Sequence, residues 1–230
     1  MNRTIRLWDL PTRLVHWLLV AGVVGAIVTA KLGGNLMVWH GRIGLALAGL
    51  VVFRLVWGFV GSTYARFGQF VRGPSGITAY LRGQWQGVGH NPIGAISVLV
   101  LLALPAVQTV TGLFANDDIA FYGPLYALIS KDTSDALTGW HHRFELLIYL
   151  IIGLHVAAIV FYAVVKKQRL VPPMITGRKP VSNDSAQDAR GGGLIAFILA
   201  LAIALGAVWA ASGALNPPPP APPASVAPAW

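Results

Sequence analysis

Five stretches of the chain are apolar and long enough to cross a bilayer: Leu14 to Ala30, Val38 to Val60, Ile93 to Phe114, Arg143 to Val165 and Gly192 to Ser212. A spanning helix needs about 20 such residues, and each run comes close to that length. The expected fold class is an all-α integral membrane protein. Composition agrees, with 55% hydrophobic and only 11% charged residues among 230. The chain has no cysteine, which excludes disulfides, thiolate-bound iron–sulfur clusters and covalently attached c-type haem. A cofactor here needs other ligands, and histidine is the first candidate.

The net charge of +9 reads as topology, with no nucleic-acid partner implied. Arg3, Arg6 and Arg13 precede the first run, Arg66, Arg72 and Arg82 follow the second, and Lys166, Lys167, Arg169, Arg178, Lys179 and Arg190 follow the fourth. The other two connections hold Lys31 and Lys131 beside Asp117, Asp118, Asp132 and Asp135. The positive-inside rule places the N-terminus and the second and fourth connections in the cytoplasm, and the C-terminal tail outside. Membrane lipid is the partner that follows directly, and anionic headgroups suit the basic connections.

The fourth run, WHHRFELLIYLIIGLHV, puts His141 and His155 fourteen residues apart in an apolar segment. Fourteen steps of 100° return to within about 40° of the starting direction over a rise of about 21 Å, so both imidazoles share one helix face near its two ends. His142 is expected on roughly the opposite side from His155. His40 begins the inward-going second run, level with His141, and His16 lies about one turn inside the first, level with His155. The four sort into an outer pair, His40 and His141, and an inner pair, His16 and His155. Each pair can offer two neutral nitrogens to opposite faces of one haem iron between helices. A plainer reading makes each an interfacial hydrogen-bonding histidine, and zinc would leave a two-histidine site short of ligands. Gly22, Gly25, Gly41, Gly44, Gly49 and Gly153 leave room either for a flat macrocycle or for close helix packing.

Arginines supply candidate partners for propionates. Arg54 lies fourteen residues after His40 and so shares its face at inner depth, while Arg42 and Arg143 lie at the outer level. Snorkelling near a helix end is the alternative for each. His90 and Asn91 precede Pro92, which suits a helix start. They are candidates for a quinone pocket, although a lone interfacial histidine is more often structural. The third run contains Gln108, Thr109 and Thr111 but no histidine, and is expected to complete the bundle without ligating.

The opening imitates a signal peptide with a small-residue end at Val28-Thr29-Ala30, but its apolar run is long for one and it carries His16, so it is taken as a retained span. Asp9 is placed to cap that helix, with Pro11 in its first turn. Pro74 and Ser75 begin a short surface helix through Tyr80. Ala115 to Gly139 is expected as an outer loop whose FYGPLYALISKD segment lies on the membrane surface. Domain boundaries fall at 1–180 for the bundle, 181–191 for a polar linker, 192–214 for a fifth transmembrane helix and 215–230 for an extended proline-rich tail. The composition break marks the last helix as an appendage.

WDLPTRLVHW, FRLVWGF, GHNPIG, TGLF, the His141–His155 helix and MITGRK occur in order between Leu7 and Lys179. Together they resemble the bacterial di-haem cytochrome b-561 family, which includes nickel–iron hydrogenase cytochrome b subunits. The resemblance implies a four-helix transmembrane bundle in the bacterial inner membrane with two b haems ligated by His16, His40, His141 and His155. It further implies electron exchange between quinone and a periplasmic redox protein, a cytochrome c or a hydrogenase, with homo- or hetero-oligomers open. Two other expectations stand beside it: a stand-alone quinone-linked oxidoreductase of superoxide oxidase type, and a haem-free transporter or anchoring subunit.

Overall fold

The computed structural model describes residues 3–85, 87–181 and 186–216; most of the proline-rich tail lies outside them. In chain order the elements are β1 (Arg3–Arg6), α1 (Leu10–Leu32), α2 (Met37–Val60), α3 (Phe67–Phe70), α4 (Pro74–Leu81), α5 (Pro92–Leu113), α6 (Lys131–Val164), α7 (Val171–Thr176), β2 (Arg178–Val181) and α8 (Leu194–Ala211). The five long apolar helices α1, α2, α5, α6 and α8 are each able to cross a membrane. They alternate in direction, so the bundle has a near end, where the chain begins, and a far end, where α1 turns into α2.

Caps fix where the spans begin. Asp9 starts α1 by accepting the Thr12 N–H at 2.7 Å, and its other oxygen accepts the indole N–H of Trp57 at 3.0 Å. Asn91 starts α5 through the Gly94 N–H at 2.7 Å, with Pro92 in the first turn where a missing N–H costs nothing. Ser130 caps α6 at the Thr133 N–H, with Asp132 in the first turn. That cap corrects the expected outer loop: helix begins at Lys131, about three turns before the apolar run. At 34 residues α6 is about 51 Å long and outreaches the hydrocarbon core. Polar residues, SKDTSD, built this extension, so hydropathy missed it.

α2 is the hub. It packs against α1, α5 and α8, whereas α6 packs on α5 and its backbone hardly approaches α1 or α2. A gap therefore opens between α1 and α6. α8 is no appendage: Ala200 and Ala204 are buried in one apolar cluster with Val15, Phe53 and Trp57, and Phe53 meets Phe197 ring to ring at 5.7 Å. Gly49 permits this contact, since a Cβ there would lie 2.6 Å from a Val208 methyl.

The near end is tied together by hydrogen bonds that composition does not reveal. β1 pairs antiparallel with β2, Arg3 opposite Val181 and Arg6 opposite Arg178. Leu7 and Trp8 both donate backbone N–H groups to the Gly177 carbonyl, at 2.8 and 3.1 Å, and Gly177 takes the left-handed φ of +78° that ends α7. This is the structural work of the MITGRK segment. The described part of the polar linker is docked as well: Ala189 donates to Arg6 O at 2.7 Å, Thr63 donates to Arg190 O at 2.8 Å, and the Tyr64 hydroxyl donates to Gln187 O at 2.7 Å.

Candidate functional site

His40 enters from the first turn of α2 and His141 from α6, and their ring centres stand 6.1 Å apart at the far end, nearly perpendicular. Each ring is held from behind by a backbone carbonyl of a third helix. His40 Nδ1 donates to Ala26 O of α1 at 2.9 Å, and His141 Nδ1 donates to Gln108 O of α5 at 3.0 Å, with Thr111 Oγ1 beside it at 3.2 Å. A carbonyl can only accept, so Nδ1 carries the proton in both rings and both Nε2 lone pairs are free. A ring fixed through Nδ1 in this way presents Nε2 as a metal ligand.

The spacing tests the chemistry. With metal–nitrogen bonds of about 2 Å and roughly 1 Å more from each nitrogen to its ring centre, two imidazoles on one metal have centres about 6 Å apart. Among the described residues no group of three or more His, Cys, Asp or Glu gathers to complete a zinc site. A metal whose remaining positions come from a planar macrocycle needs only these two. The space for it is present: a cavity of about 440 Å³ lies beside the pair, bordered by Ala26, Gly41, Gly44, Gln108, Gly112 and Phe121 among others. Gly44 has nothing within 4 Å of where a Cβ would stand. The far pair fits a haem.

Other glycines divide between the two readings offered for them. Gly22 and Gly25 serve packing, with Cβ positions 2.7 Å from Leu47 and 3.3 Å from Ile43, whereas Gly153, two residues before His155, faces open space. Gly112 was not singled out by sequence, yet a Cβ there would lie 2.9 Å from His141 Cε1.

The near pair is less enclosed. His16 of α1 and His155 of α6 lie within electrostatic reach of one another across the gap. Arg54 is buried on α2 nearby. It donates to Ala65 O at 3.2 Å and lies over the Phe67 ring at 5.2 Å, but its Nη1 is buried with no partner. A buried guanidinium nitrogen left this way suits an anionic group such as a propionate.

The remaining candidates are dispersed. Arg42 and Arg143 are exposed and stack over Trp39 and Trp140, each at 5.0 Å, three residues back on their own helices. His142 is not turned away as expected. It borders the far cavity beside His141, because one residue advances only 100° and the cavity is broad. Asn91 is occupied by the α5 cap and by the hydroxyl of Tyr162, to which its Nδ2 donates at 2.8 Å. Sequence reasoning also passed over Lys31 and Glu145, which border the same cavity. For Glu145 the signal was present, an ionisable side chain inside the apolar run from Arg143 to Val165; Lys31 lies one residue past the end of the first run.

His90 borders a smaller pocket of about 160 Å³ with Tyr64, Gln69, Phe70, Arg72 and Trp85. Its ring is held between Trp8 and Phe70, 4.6 and 4.8 Å away, and Nδ1 is buried without a partner. Burial first, then the positive charges of Arg54 and Lys179, pushes its pKa down to about 3. The folded chain thus keeps His90 neutral while the unfolded chain takes up a proton below about 6.5. The resulting stability is present above pH 6.5 and lost progressively as pH falls toward 3. Replacing His90 with Phe keeps an aromatic ring in the stack and removes this titration. The melting temperature of the wild type should drop relative to that variant below pH 6.5, whereas parallel curves would show that His90 does not titrate on unfolding.

Comparison with known proteins gives the family. The family model for prokaryotic cytochrome b561 matches residues 7–177. The chain is 26% identical over 220 residues to the probable Ni/Fe-hydrogenase B-type cytochrome subunit of Azotobacter vinelandii, covering 78% of this chain and 90% of that one. It is 22% identical over 216 residues to the protein of the same description from Rhizobium leguminosarum bv. viciae, covering 77% and 90%. No solved structure gives a significant match. With three quarters of its length matched, the chain belongs to the prokaryotic cytochrome b561 family, haem-carrying b-type cytochromes of membrane electron transport.

Proposed function

We propose that this chain is a di-haem cytochrome b of the bacterial inner membrane that passes electrons between quinone and a redox protein on the periplasmic face. The observation that carries the reading is the far pair, His40 and His141, facing one another at an iron-sized spacing with both tautomers set by backbone carbonyls. His16 and His155 would hold the second haem and Arg54 one of its propionates. The bound groups supply one-electron chemistry. The chain would supply the ligating histidine nitrogens, the low-dielectric shell that sets the potentials and a fixed separation of two sites along one helix. The basic residues at the near end support a cytoplasmic N-terminus by the positive-inside rule, and with it a far pair on the periplasmic side. The relatives' description as hydrogenase subunits makes a hydrogenase the favoured partner class.

The His90 pocket is the proposed quinone site. It is lined by aromatic rings, offers an unpartnered ring nitrogen, and lies at the near end. A reduced short-chain quinol added anaerobically to the oxidised protein should reduce its haem. His90→Leu should slow that reduction about tenfold, the loss of one hydrogen bond of roughly 1.5 kcal/mol, with the dithionite-reduced spectrum unchanged. Haem that dithionite reduces and quinol leaves oxidised would contradict the quinone link.

A further inference from the structure

Lys31 and Glu145 form an ion pair across the gap between α1 and α6, Nζ to Oε1 at 2.7 Å. The backbones of these two helices hardly approach one another, so long side chains bridge the distance. Glu145 is the more enclosed partner, with 23% of its side chain exposed against 61% for Lys31. The Tyr149 hydroxyl donates to the same carboxylate, and the Lys31 ammonium lies 5.9 Å over the Tyr149 ring. Both charged residues border the cavity that His40 and His141 share, and Glu145 lies one turn along α6 from His141, on the same side of the helix. A full charge at membrane depth is costly. A contact that only fastened two helices could be made by apolar side chains.

We propose that Lys31 and Glu145 each act on the reduction potential of the far haem, with opposite sign, and that their pairing holds it between the values either charge alone would give. The inference rests on the reading of His40 and His141 as haem ligands. Oxidation leaves one more positive charge in this cavity than reduction does. The Glu145 carboxylate favours the oxidised state and the Lys31 ammonium the reduced one, and in a low-dielectric wall such charges act strongly. Paired, they largely cancel; removing either leaves the other unopposed.

The test is spectroelectrochemical titration of the purified protein, following the haem that is lost in His141→Ala. Glu145→Gln should raise the potential of that haem, Lys31→Gln should lower it, and the double variant Lys31→Gln/Glu145→Gln should return it toward the wild-type value. A pair that only clips α1 to α6 would instead make the double variant lose haem or stability as the singles do, with no opposed shifts. A bound far haem whose potential is the same in both single variants overturns this inference alone. If no haem is lost with His141, the ligand reading falls and this inference falls with it.

Discussion

Gly112→Val is expected to remove the far haem while leaving the near one, so that the chain binds one haem in place of two. The added Cβ would stand 2.9 Å from Cε1 of His141, closer than Cβ atoms come to other heavy atoms, and a tight 3.3 Å from its Nδ1. The ring has little room to retreat, because Nδ1 is bonded to Gln108 O and the Gln108 side chain donates to His141 O at 3.0 Å. Turning the imidazole aside also turns its Nε2 lone pair away from the position facing His40. Pyridine-haemochrome quantitation of the purified variant reads the result directly. Gly112→Ala, with one small group, should lose less, and a Val variant holding the wild-type amount of haem would show that His141 does not ligate in this orientation.

Asp9→Ala should cost about 1.5–5 kcal/mol of stability. One carboxylate performs two tasks there: it caps α1 at Thr12 and accepts the indole N–H of Trp57, a side chain with no exposed surface. Losing an N-cap costs about 0.5–2 kcal/mol, and leaving a buried donor without a partner costs about 1–3 kcal/mol. The two losses share no geometry and should roughly add. Thermal or denaturant unfolding in detergent measures the change, and Asp9→Asn, which keeps an accepting oxygen, should lose much less. Equal stability of Asp9→Ala and wild type would mean that water or lipid headgroups satisfy Trp57 as well as Asp9 does.

Much of this was legible from residue order. Five apolar runs gave five helices with ends within a few residues of those expected, except at α6, where a polar capped extension carries no hydropathy signal. The Asp9, Pro11 and Pro92 start signals work because capping is local chemistry. The approach of His40 to His141 was legible because helix periodicity and run direction fix depth. What stayed hidden depends on neighbours distant in sequence. Gln108 and Thr111 looked like filler in a span without histidine, yet the Gln108 carbonyl is what sets the His141 tautomer. Gly112 serves its neighbour's ring rather than its own helix. The ties between β1, β2 and residues 186–191 all have a backbone group on at least one side, which composition does not encode, and they turn a segment that reads as a linker into part of the near-end floor. Arg42 and Arg143 have the right depth for propionates, but their stacking on Trp39 and Trp140 depends on side-chain direction along the helix, which spacing alone does not give.

The central claim is that four histidines hold two haems, and the most direct measurement is the haem count per chain in the wild type and in His16→Ala, His40→Ala, His141→Ala and His155→Ala. The account gives two b haems for the wild type and about one for each variant, with His40 and His141 losing the same spectral component and His16 and His155 the other. A wild type without haem, or variants that keep both, would contradict it.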